Sequence, residues 1–312
     1  MDVTELVTGV LAGDRRAVAR AISLVEDGAT ELPELSAGIY ASTGRAATIG
    51  LTGAPGVGKS TLAGELVRVA RSRDERIAVL AVDPTSPFTG GALLGDRVRM
   101  QEHATDPGVF IRSMATRGHL GGMALAAPEA VRILDAAGHD HVIVETVGVG
   151  QAEVDVAAAT DTTVVVLAPG AGDAVQMAKA GILEIADVFV VNKGDRDGAG
   201  ETARDLRQML HMGVARDWSP PVLTTTATSR EGLEEVWSAV AAHREHLAAG
   251  GLEARRRLRM RREVEALAAE RFRVRVAAAF DDAPSLAEDL AARRVDPYRA
   301  AAILGETAAA RE

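Results

Sequence analysis

The chain has 312 residues and a formal net charge of −9, and 47% of its residues are hydrophobic. This length accommodates one large domain with smaller additions, and the acidic balance argues against general affinity for nucleic acid or for an anionic membrane. The absence of cysteine excludes disulfides, thiolate metal sites and a cysteine nucleophile. The acidic N-terminus differs from a basic signal peptide, and no apolar run is long enough to span a bilayer. We therefore expect a cytoplasmic protein that works without a membrane or nucleic-acid partner.

The first 45 residues have the pattern of short amphipathic helices. Between positions 3 and 37, leucine, valine and isoleucine recur three or four residues apart among charged residues, with a break at Gly13 and Asp14. This spacing predicts two short helices. We interpret them as a cap that supports the core, because amphipathic helices generally bury one face. An arm that binds a partner is the alternative.

A glycine-rich turn joins the first predicted strand, 46–52, to a predicted helix, 62–70. This order of elements, with the pattern Gly-x-x-x-x-Gly-Lys-Ser, is typical of a P-loop. The backbone N–H groups of such a turn and the helix N-terminus favour phosphate oxygens. Lys59 is expected to bridge the β- and γ-phosphates of a triphosphate, and Ser60 to ligate Mg²⁺. The predicted phosphate-binding residues are Gly53, Ala54, Pro55, Gly56, Val57, Gly58, Lys59, Ser60 and Thr61.

Two later strands carry an acid at their C-terminal ends, where parallel sheets bind ligands. The run 76–82 is followed by Asp83, a candidate for the magnesium shell or for orienting water. A structural turn is the alternative, because Pro84 comes next. Another strand leads to Glu145, with Gly148 three residues on. Nucleotide triphosphatases place an acid for the magnesium water shell and a glycine that senses the γ-phosphate at this spacing.

The residue after Gly148 bears on the rate of hydrolysis. Many GTPases have glutamine directly after this glycine to orient the attacking water, and here the position is Val149. Valine cannot polarise water. We therefore expect slow intrinsic hydrolysis that depends on another group moving in, with Gln151 as one candidate.

The segment 88–122 is rich in glycine, and we interpret it as a mobile, nucleotide-sensing region. Within it, Asp96 is a candidate metal ligand, and Arg117 is a candidate contact to phosphate or to an acidic group of a partner. A second glycine-rich turn follows the predicted strand 162–168, at the same edge of the sheet as the P-loop.

The predicted strand 188–191 ends in Asn-Lys-Gly-Asp, which is the pattern that specifies guanine in GTPases. One carboxylate, here that of Asp195, accepts both the N1–H and the exocyclic amine of guanine, two donors that adenine lacks. The stem of Lys193 covers the base. A backbone N–H from Ala227, after strand 222–225, is placed to meet the guanine carbonyl. The predicted base-binding residues are Asn192, Lys193, Asp195, Thr226, Ala227 and Thr228.

The C-terminal part is predicted to be helical. Residues 231–249 form a closing helix, and Gly250 and Gly251 form a hinge. A block of six arginines between 255 and 262 raises the possibility of nucleic-acid binding. We favour a solvated helix or a subunit interface, because the chain is acidic and the block lacks interleaved aromatic residues. The predicted domains are an N-terminal helical segment, 1–45, a nucleotide-binding domain, 46–249, and a C-terminal helical segment, 250–312.

Taken together, six motifs resemble the MeaB/ArgK family of P-loop GTPases. They are GAPGVGKST (53–61), DPTSP (83–87), GGALLGD (90–96), SMATRGHLGG (113–122), ETVGVGQ (145–151) and NKGD (192–195). The resemblance implies an α/β P-loop NTPase fold with a mostly parallel, doubly wound sheet, the SIMIBI type of G domain, with helical extensions at both ends. It also implies a G-protein chaperone that gates cofactor loading of an adenosylcobalamin-dependent acyl-CoA mutase, most often methylmalonyl-CoA mutase, and protects or reactivates it. Such proteins use GTP and GDP with Mg²⁺ and form homodimers through C-terminal helices, which sets the expected cofactors and partners.

The resemblance also assigns roles to individual residues. Lys59 is the phosphate lysine, and Asp195 reads guanine. The metal and switch residues by this criterion are Ser60, Asp83, Asp96 and Glu145. A third switch that faces the mutase contributes Asp173, Gln176 and Lys179.

Two other functions share features of this pattern. A metallochaperone GTPase of the nickel-insertion kind has the same fold class but usually needs cysteine or histidine ligands, and this chain has no cysteine. A kinase linked to amino-acid transport is an activity attached to the ArgK name, and the guanine motif argues against an ATP-using kinase.

Overall fold

The computed structural model describes residues 2–84, 101–103, 105–116, 122–146, 156, 158–170, 182–212 and 217–309. The chain divides into two compact units, Met1–Arg259 and Met260–Glu312. The first unit is an α/β domain, and the second is helical. The domain boundaries proposed from the sequence, after residues 45 and 249, stay predictions.

The first unit is built on a seven-stranded sheet with the order β3-β2-β4-β1-β5-β6-β7. Every pairing between these strands is parallel, which confirms the predicted fold class. Strand β1 is central, between β4 and β5, so the loop that follows it opens at the middle of the C-terminal edge. The strands are β1 (Ala47–Thr52), β2 (Ile77–Pro84), β3 (Val109–Thr116), β4 (His141–Thr146), β5 (Thr162–Leu167), β6 (Val188–Val191) and β7 (Val222–Thr224).

Helices cover both faces of this sheet and make up the second unit. In chain order they are α1 (Val3–Leu11), α2 (Arg15–Asp27), α3 (Leu32–Ile39), α4 (Lys59–Ser72), α5 (Gly122–Ala136), α6 (Ile182–Ile185), α7 (Ala199–Met212), α8 (Leu233–His246), α9 (Leu252–Asp281), α10 (Pro284–Ala291) and α11 (Pro297–Ala309). Short turns of 3₁₀ helix lie at Tyr40–Ser42 and Gln101–His103, and a π turn lies at Leu247–Gly251.

Successive residues of the central strands enter two different cores. Ala78 and Leu80 of β2 pack with α1, α2, α3 and α5, whereas Ile77 and Val79 pack with α4 and α8 on the other face. This alternation explains the unbroken apolar runs of the strands, since a parallel strand covered on both faces has no solvent-facing side. The N-terminal segment forms three helices, where two were predicted, and their apolar residues belong to the first core, as the cap interpretation expects.

Strand β3 is the strand of the sheet that sequence reasoning missed. Its eight residues lie inside the segment interpreted as a nucleotide-sensing loop region, and they pair with β2 from Ile77–Val109 to Pro84–Thr116. Arg112 interrupts the apolar pattern of this strand. An arginine is accommodated because β3 is at the edge of the sheet, where Arg112 forms an ion pair with Glu26 and donates to Ser23 Oγ at 3.0 Å.

The N-terminal edge of the sheet carries two buried acids that hold arginines from the first turns of α9. Asp161 directly precedes β5, and its carboxylate lies 2.7 Å from Arg256 Nη2 and 2.8 Å from Arg259 Nη2. Arg256 also donates to the carbonyl oxygen of Gly44, just before β1, at 2.6 Å. Asp187 directly precedes β6 and accepts two hydrogen bonds from Arg255, at 2.9 and 3.1 Å. We call the five charged residues, Asp161, Asp187, Arg255, Arg256 and Arg259, the basal ion cluster.

The basal ion cluster corrects the sequence-based interpretation of the basic block. Three of its six arginines hold buried carboxylates of the α/β unit, so this part of the block is neither a solvated face nor a nucleic-acid surface. Arg261, by contrast, is 77% exposed and pairs with Glu265 on its own helix. Helical spacing explains the division, because only one face of α9 is directed at the strand ends.

Burial and neighbouring charges act in opposite directions on the pKa of Asp161 in the cluster, and on the pKa of His243 beside it. Burial by itself raises the pKa of Asp161, but the hydrogen bond from Arg256 and the charges of both arginines outweigh it, so the net pKa of Asp161 lies below its ordinary value. Burial lowers the pKa of His243, whose Nε2 lies 3.3 Å from Asp187, and the opposing attraction of that carboxylate does not reverse the shift.

We expect Asp161→Asn to lower the free energy of unfolding by about 2–4 kcal/mol at pH 7, because it leaves Arg256 and Arg259 without their counter-ion. A carboxylate with a lowered pKa contributes stability above its unfolded pKa, about 3.9, and loses it as pH falls through the folded value. The difference between wild type and variant should therefore stay constant from pH 8 to 5. Urea denaturation across this range measures it.

The matched control is Arg261→Ala, which removes an exposed arginine of the same block that pairs within its own helix. It should leave the unfolding free energy at the wild-type value. Equal effects of the two substitutions would contradict the role given to the basal ion cluster.

Candidate functional site

The loop between β1 and α4 requires glycine at two positions for steric reasons. Gly53 has φ 141°, and a Cβ there would lie 2.1 Å from the carbonyl oxygen of Val166 in the neighbouring β5. Gly58 has φ 101°, and a Cβ there would lie 2.3 Å from Asn192 Nδ2. L side chains rarely adopt such φ values, and neither position has space for one. The glycines of the P-loop pattern therefore allow the loop to approach β5 and the predicted guanine motif.

Lys59, the first residue of α4, is buried within this loop. Its Nζ donates to the carbonyl oxygens of Gly53 and Ala54, at 2.7 and 3.0 Å. An ammonium group in this position is enclosed by the loop whose N–H groups are suited to phosphate. The structure therefore brings the predicted phosphate lysine and the predicted cradle together.

Ser60 and Glu145 meet across the sheet edge. Ser60 Oγ donates to Glu145 Oε1 at 2.6 Å, and Glu145 is 2% exposed. The contact follows from the register, since Glu145 in β4 pairs with Leu51, the penultimate residue of β1 before the loop. A hydroxyl and a carboxylate are hard oxygen donors of the kind that hold Mg²⁺ together with phosphate oxygens. The pair predicted as metal ligands therefore fits a magnesium ion in its chemistry.

Asp83 belongs to the same edge by its backbone position. Ala81 of β2 pairs with Glu145, so Asp83 lies two residues further along the neighbouring strand. Its backbone is in β2, and its role at the metal stays a prediction. Seven other predicted site residues lie outside the described part of the chain, so their roles also stay predictions. They are Asp96, Arg117, Gly148, Gln151, Asp173, Gln176 and Lys179.

The side chain of Asn192, after β6, connects the phosphate loop, 53–58, to the segment 225–231 after β7, which we call the base loop. Its Nδ2 donates to the carbonyl oxygen of Val57 at 2.9 Å. Its Oδ1 accepts from the backbone N–H of Ala227 at 3.2 Å and from Thr225 Oγ1 at 3.1 Å. Sequence reasoning assigned Asn192 to the base, whereas its bonds in the structure hold the two loops together.

Lys193, next to Asn192, makes a second contact with the phosphate loop. It has φ 59°, and its Nζ donates to the carbonyl oxygen of Gly56 at 2.6 Å. Asp195 follows in an exposed position, where its carboxylate is accessible to a ligand, and Thr228 is also exposed. Thr226 is buried and exchanges backbone hydrogen bonds with Glu231, which closes a short hairpin around the base loop.

Sequence reasoning missed two residues that hold the base loop in place, Thr225 and Glu231. Thr225 was counted as a strand residue, although its hydroxyl and carbonyl hold Asn192 and the N–H of Gly194. Glu231 was placed in the closing helix, but that helix begins at Leu233, after Gly232 with φ 77°. A glycine two residues after Arg230 was the available signal for a turn there.

Three features lie together at one edge of a parallel sheet: a buried P-loop lysine, a Ser–Glu pair beside it and an Asn-Lys-x-Asp motif tied to the loop. This combination is that of a P-loop GTPase. The profile of the family described as methylmalonyl Co-A mutase-associated GTPase MeaB matches residues 18–281. This chain belongs to that family.

Named relatives agree with this assignment. The chain is 47% identical over 306 residues to a Pyrococcus abyssi protein with the provisional name of a GTPase, covering 96% of this chain and 94% of that one. It is 37% identical to Escherichia coli GTPase ArgK, covering 80% and 78%, and 36% identical to the mouse methylmalonic aciduria type A homolog, covering 80% and 65%. The crystal structure of a protein named LAO/AO transport system kinase superposes with a TM-score of 0.71, at 26% identity, and covers 98% of this chain and 97% of that one.

We expect Asn192→Ala to raise the dissociation constant for GDP about 10- to 100-fold. The substitution leaves the Val57 carbonyl and the Ala227 N–H without their partner, and such losses cost about 1–3 kcal/mol. Titration with a fluorescent GDP analogue measures the change. Thr225→Val, which removes only one donor to the same amide, is the control and should have a smaller effect. An unchanged affinity in Asn192→Ala would contradict the connecting role.

Proposed function

We propose that this chain is a GTP-hydrolysing chaperone that gates adenosylcobalamin loading of an acyl-CoA mutase, such as methylmalonyl-CoA mutase, and protects or reactivates it. Membership of a family described by its association with methylmalonyl Co-A mutase supports that mutase as the client. The name of the mouse relative, which refers to methylmalonic aciduria, points to the same metabolism.

The observation that carries the GTP part is the Asn192 amide, which holds the phosphate loop and the base loop in one unit. In the proposed site, Lys59 exchanges its bonds to Gly53 and Ala54 for oxygens of the β- and γ-phosphates. Ser60 and Glu145 hold Mg²⁺, which neutralises charge on the phosphates when bound. The exposed carboxylate of Asp195 accepts the N1–H and amine of guanine.

The proposed enzyme hydrolyses GTP slowly on its own. Most of the rate of phosphoryl transfer comes from positioning and charge stabilisation, including a residue that orients the attacking water. Val149, which follows Gly148, cannot do this, and Gln151 or a group from the client is proposed instead. Arg117 and the segment with Asp173, Gln176 and Lys179 are proposed to face the mutase.

Neither alternative function has comparable support. Among the described residues, no group of three histidine, aspartate or glutamate side chains is placed to hold a metal ion, as a nickel carrier would need. The kinase name belongs to a structural relative, and an ATP-using kinase has no need for the Asn-Lys-Gly-Asp motif.

We expect the purified chain to bind GTP at least 100-fold more tightly than ATP and to hydrolyse it well below the range of about 1–100 s⁻¹ typical of kinases. Addition of methylmalonyl-CoA mutase should accelerate phosphate release.

Lys59→Ala should abolish tight GTP binding while the fold, followed by circular dichroism, is retained. ATP binding equal to GTP binding would refute the role of Asp195, and fast hydrolysis without a mutase would refute the partner dependence.

A second copy of this chain is the proposed partner of the second unit. Along α9, Met260, Val264, Leu267 and Val274 are all exposed and recur at the 4, 3 and 7 spacing of a coiled-coil seam. Charged pairs of both signs border this stripe, including Arg261 with Glu265. A mixed border of this kind suits contact with an identical helix better than contact with a strongly charged partner.

We expect the wild-type chain to sediment as a dimer at micromolar concentration. Val264→Asp with Leu267→Asp should produce a monomer, because two charges would be buried in the seam. Met212→Asp, at an exposed apolar residue of the first unit, is the control and should leave the dimer intact. A monomeric wild type in sedimentation velocity would refute the dimer.

No helix among the described residues is both long and apolar enough to cross a membrane. The cytoplasmic location and the absence of a nucleic-acid partner stay predictions from the sequence.

A further inference from the structure

The base loop is a small, closed hairpin. Thr226 and Glu231 exchange N–H to carbonyl hydrogen bonds of 3.1 and 3.2 Å. Inside it, Ser229 N–H donates to Thr226 O at 3.0 Å, and Arg230 N–H donates to Ala227 O at 3.3 Å. Because these bonds leave little freedom between the ends, a displacement of Arg230 moves Ala227. The N–H of Ala227 donates to Asn192 Oδ1 at 3.2 Å, so the hairpin is tied at this residue to the connection between the two loops.

Arg230 is held in a backbone conformation that its residue type disfavours. Its φ is 65°, in the left-handed region where glycine and asparagine are usual. Its side chain extends to α4, where Arg230 Nε lies 3.2 Å from Glu65 Oε2. Glu65 is one and a half turns beyond Ser60 on the helix that begins with Lys59. The ion pair thus joins the base loop directly to the helix that carries the phosphate lysine.

Glu65 is held in turn by a second arginine, Arg68 of the same helix. Arg68 Nε lies 3.2 Å from Glu65 Oε2, and Arg68 Nη2 lies 2.7 Å from Glu102 Oε1. Glu65 is only 14% exposed at its side chain, so its carboxylate is less hydrated than that of a free surface residue. Arg230, Glu65, Arg68 and Glu102 therefore alternate in charge. A carboxylate held by two arginines is more restricted in position than a carboxylate in an isolated surface ion pair.

We propose that Arg230 is a positioning residue for guanine recognition, and that its ion pair with Glu65 fixes the base loop relative to the phosphate-binding helix. The proposal rests on the proposed function, since it concerns how the same nucleotide site selects guanine. The side chain of Arg230 pairs with Glu65, which is not one of the residues proposed to hold the phosphates. Loss of the Arg230 side chain weakens the contribution of the base to GDP affinity, while the contribution of the phosphates stays the same.

The test compares ligands with and without a base. Displacement of a fluorescent GDP analogue by GDP, and separately by inorganic tripolyphosphate, gives both affinities for wild type, Arg230→Gly and Glu65→Gln. Glycine is used at position 230 because it tolerates the positive φ and so removes the side chain without adding backbone strain. The dissociation constant for GDP should rise about two- to fivefold in either variant. This is the size of effect expected from the loss of a partly exposed ion pair such as Arg230–Glu65. Tripolyphosphate affinity should not change.

Three further variants separate positioning from a general effect on stability. Arg230→Lys keeps a charge opposite Glu65 and should retain most of the GDP affinity. The double variant Arg230→Gly with Glu65→Gln should lose no more than the worse single variant, because the two residues act through one contact. Asp74→Gly is the matched control, since Asp74 also has a positive φ, 59°, and an ion pair, with Arg71 at 3.5 Å, in an exposed turn at the other end of α4. It should leave GDP affinity unchanged.

Two results would overturn the positioning role alone, and a third would overturn it together with the proposed function. An Arg230→Gly variant with wild-type GDP affinity, in a wild-type chain that binds GDP, refutes the positioning role alone. Equal weakening of GDP and tripolyphosphate refutes it as well, because the effect would then not concern the base. A wild-type chain that binds no GDP refutes the proposed function, and the positioning role falls with it.

Discussion

The amide of Asn192 is the interaction on which the candidate site depends. A carboxamide has a donor and an acceptor at fixed positions, so it satisfies the Val57 carbonyl of one loop and the Ala227 N–H of the other at the same time. It also restricts the phosphate loop, since the same Nδ2 atom leaves no space for a side chain at position 58. The residue is buried, where an unmade hydrogen bond is costly, so the two loops are held in one arrangement. The loops proposed to bind the base and the phosphates are therefore one structural unit.

The opposite edge of the sheet has a different kind of connection. Asp161 and Asp187 precede β5 and β6, the same two strands whose C-terminal ends lead to the Pro169 turn and to Asn192. Their carboxylates hold three arginines of α9, and burial makes each pair sensitive to the loss of either partner. The first turns of α9 are thus part of the α/β unit, although the helix itself continues into the second unit. The sheet binds its proposed ligand at one edge and the start of its C-terminal helix at the other.

The family and the fold class were predictable because their signals are local. A P-loop, an acid at a strand end and Asn-Lys-x-Asp each consist of neighbouring residues, and their order along the chain is enough to predict a parallel sheet with the site at one edge. The strand β3 was not predictable in this way, since Arg112 breaks its apolar pattern and the ion pair that compensates comes from Glu26 on α2. The arginines of α9 present the same difficulty. Their sequence shows only a block of positive charge, and the two acids that hold them lie 68 to 98 positions away in the chain.

The sequence by itself therefore determined which chemical groups this protein has for its proposed function: the predicted phosphate lysine, the oxygen donors predicted to hold magnesium and the Asn-Lys-Gly-Asp motif. Only the tertiary structure decided which of them act together. It assigned Asn192 to the connection between loops, placed Ser60 against Glu145, and paired Arg230 with Glu65 across 165 positions of sequence. The physical reason is that hydrogen bonds and ion pairs depend on distances of about 3 Å in space. The register of a parallel sheet and the burial of its edges set those distances, and neither is a property of any single segment.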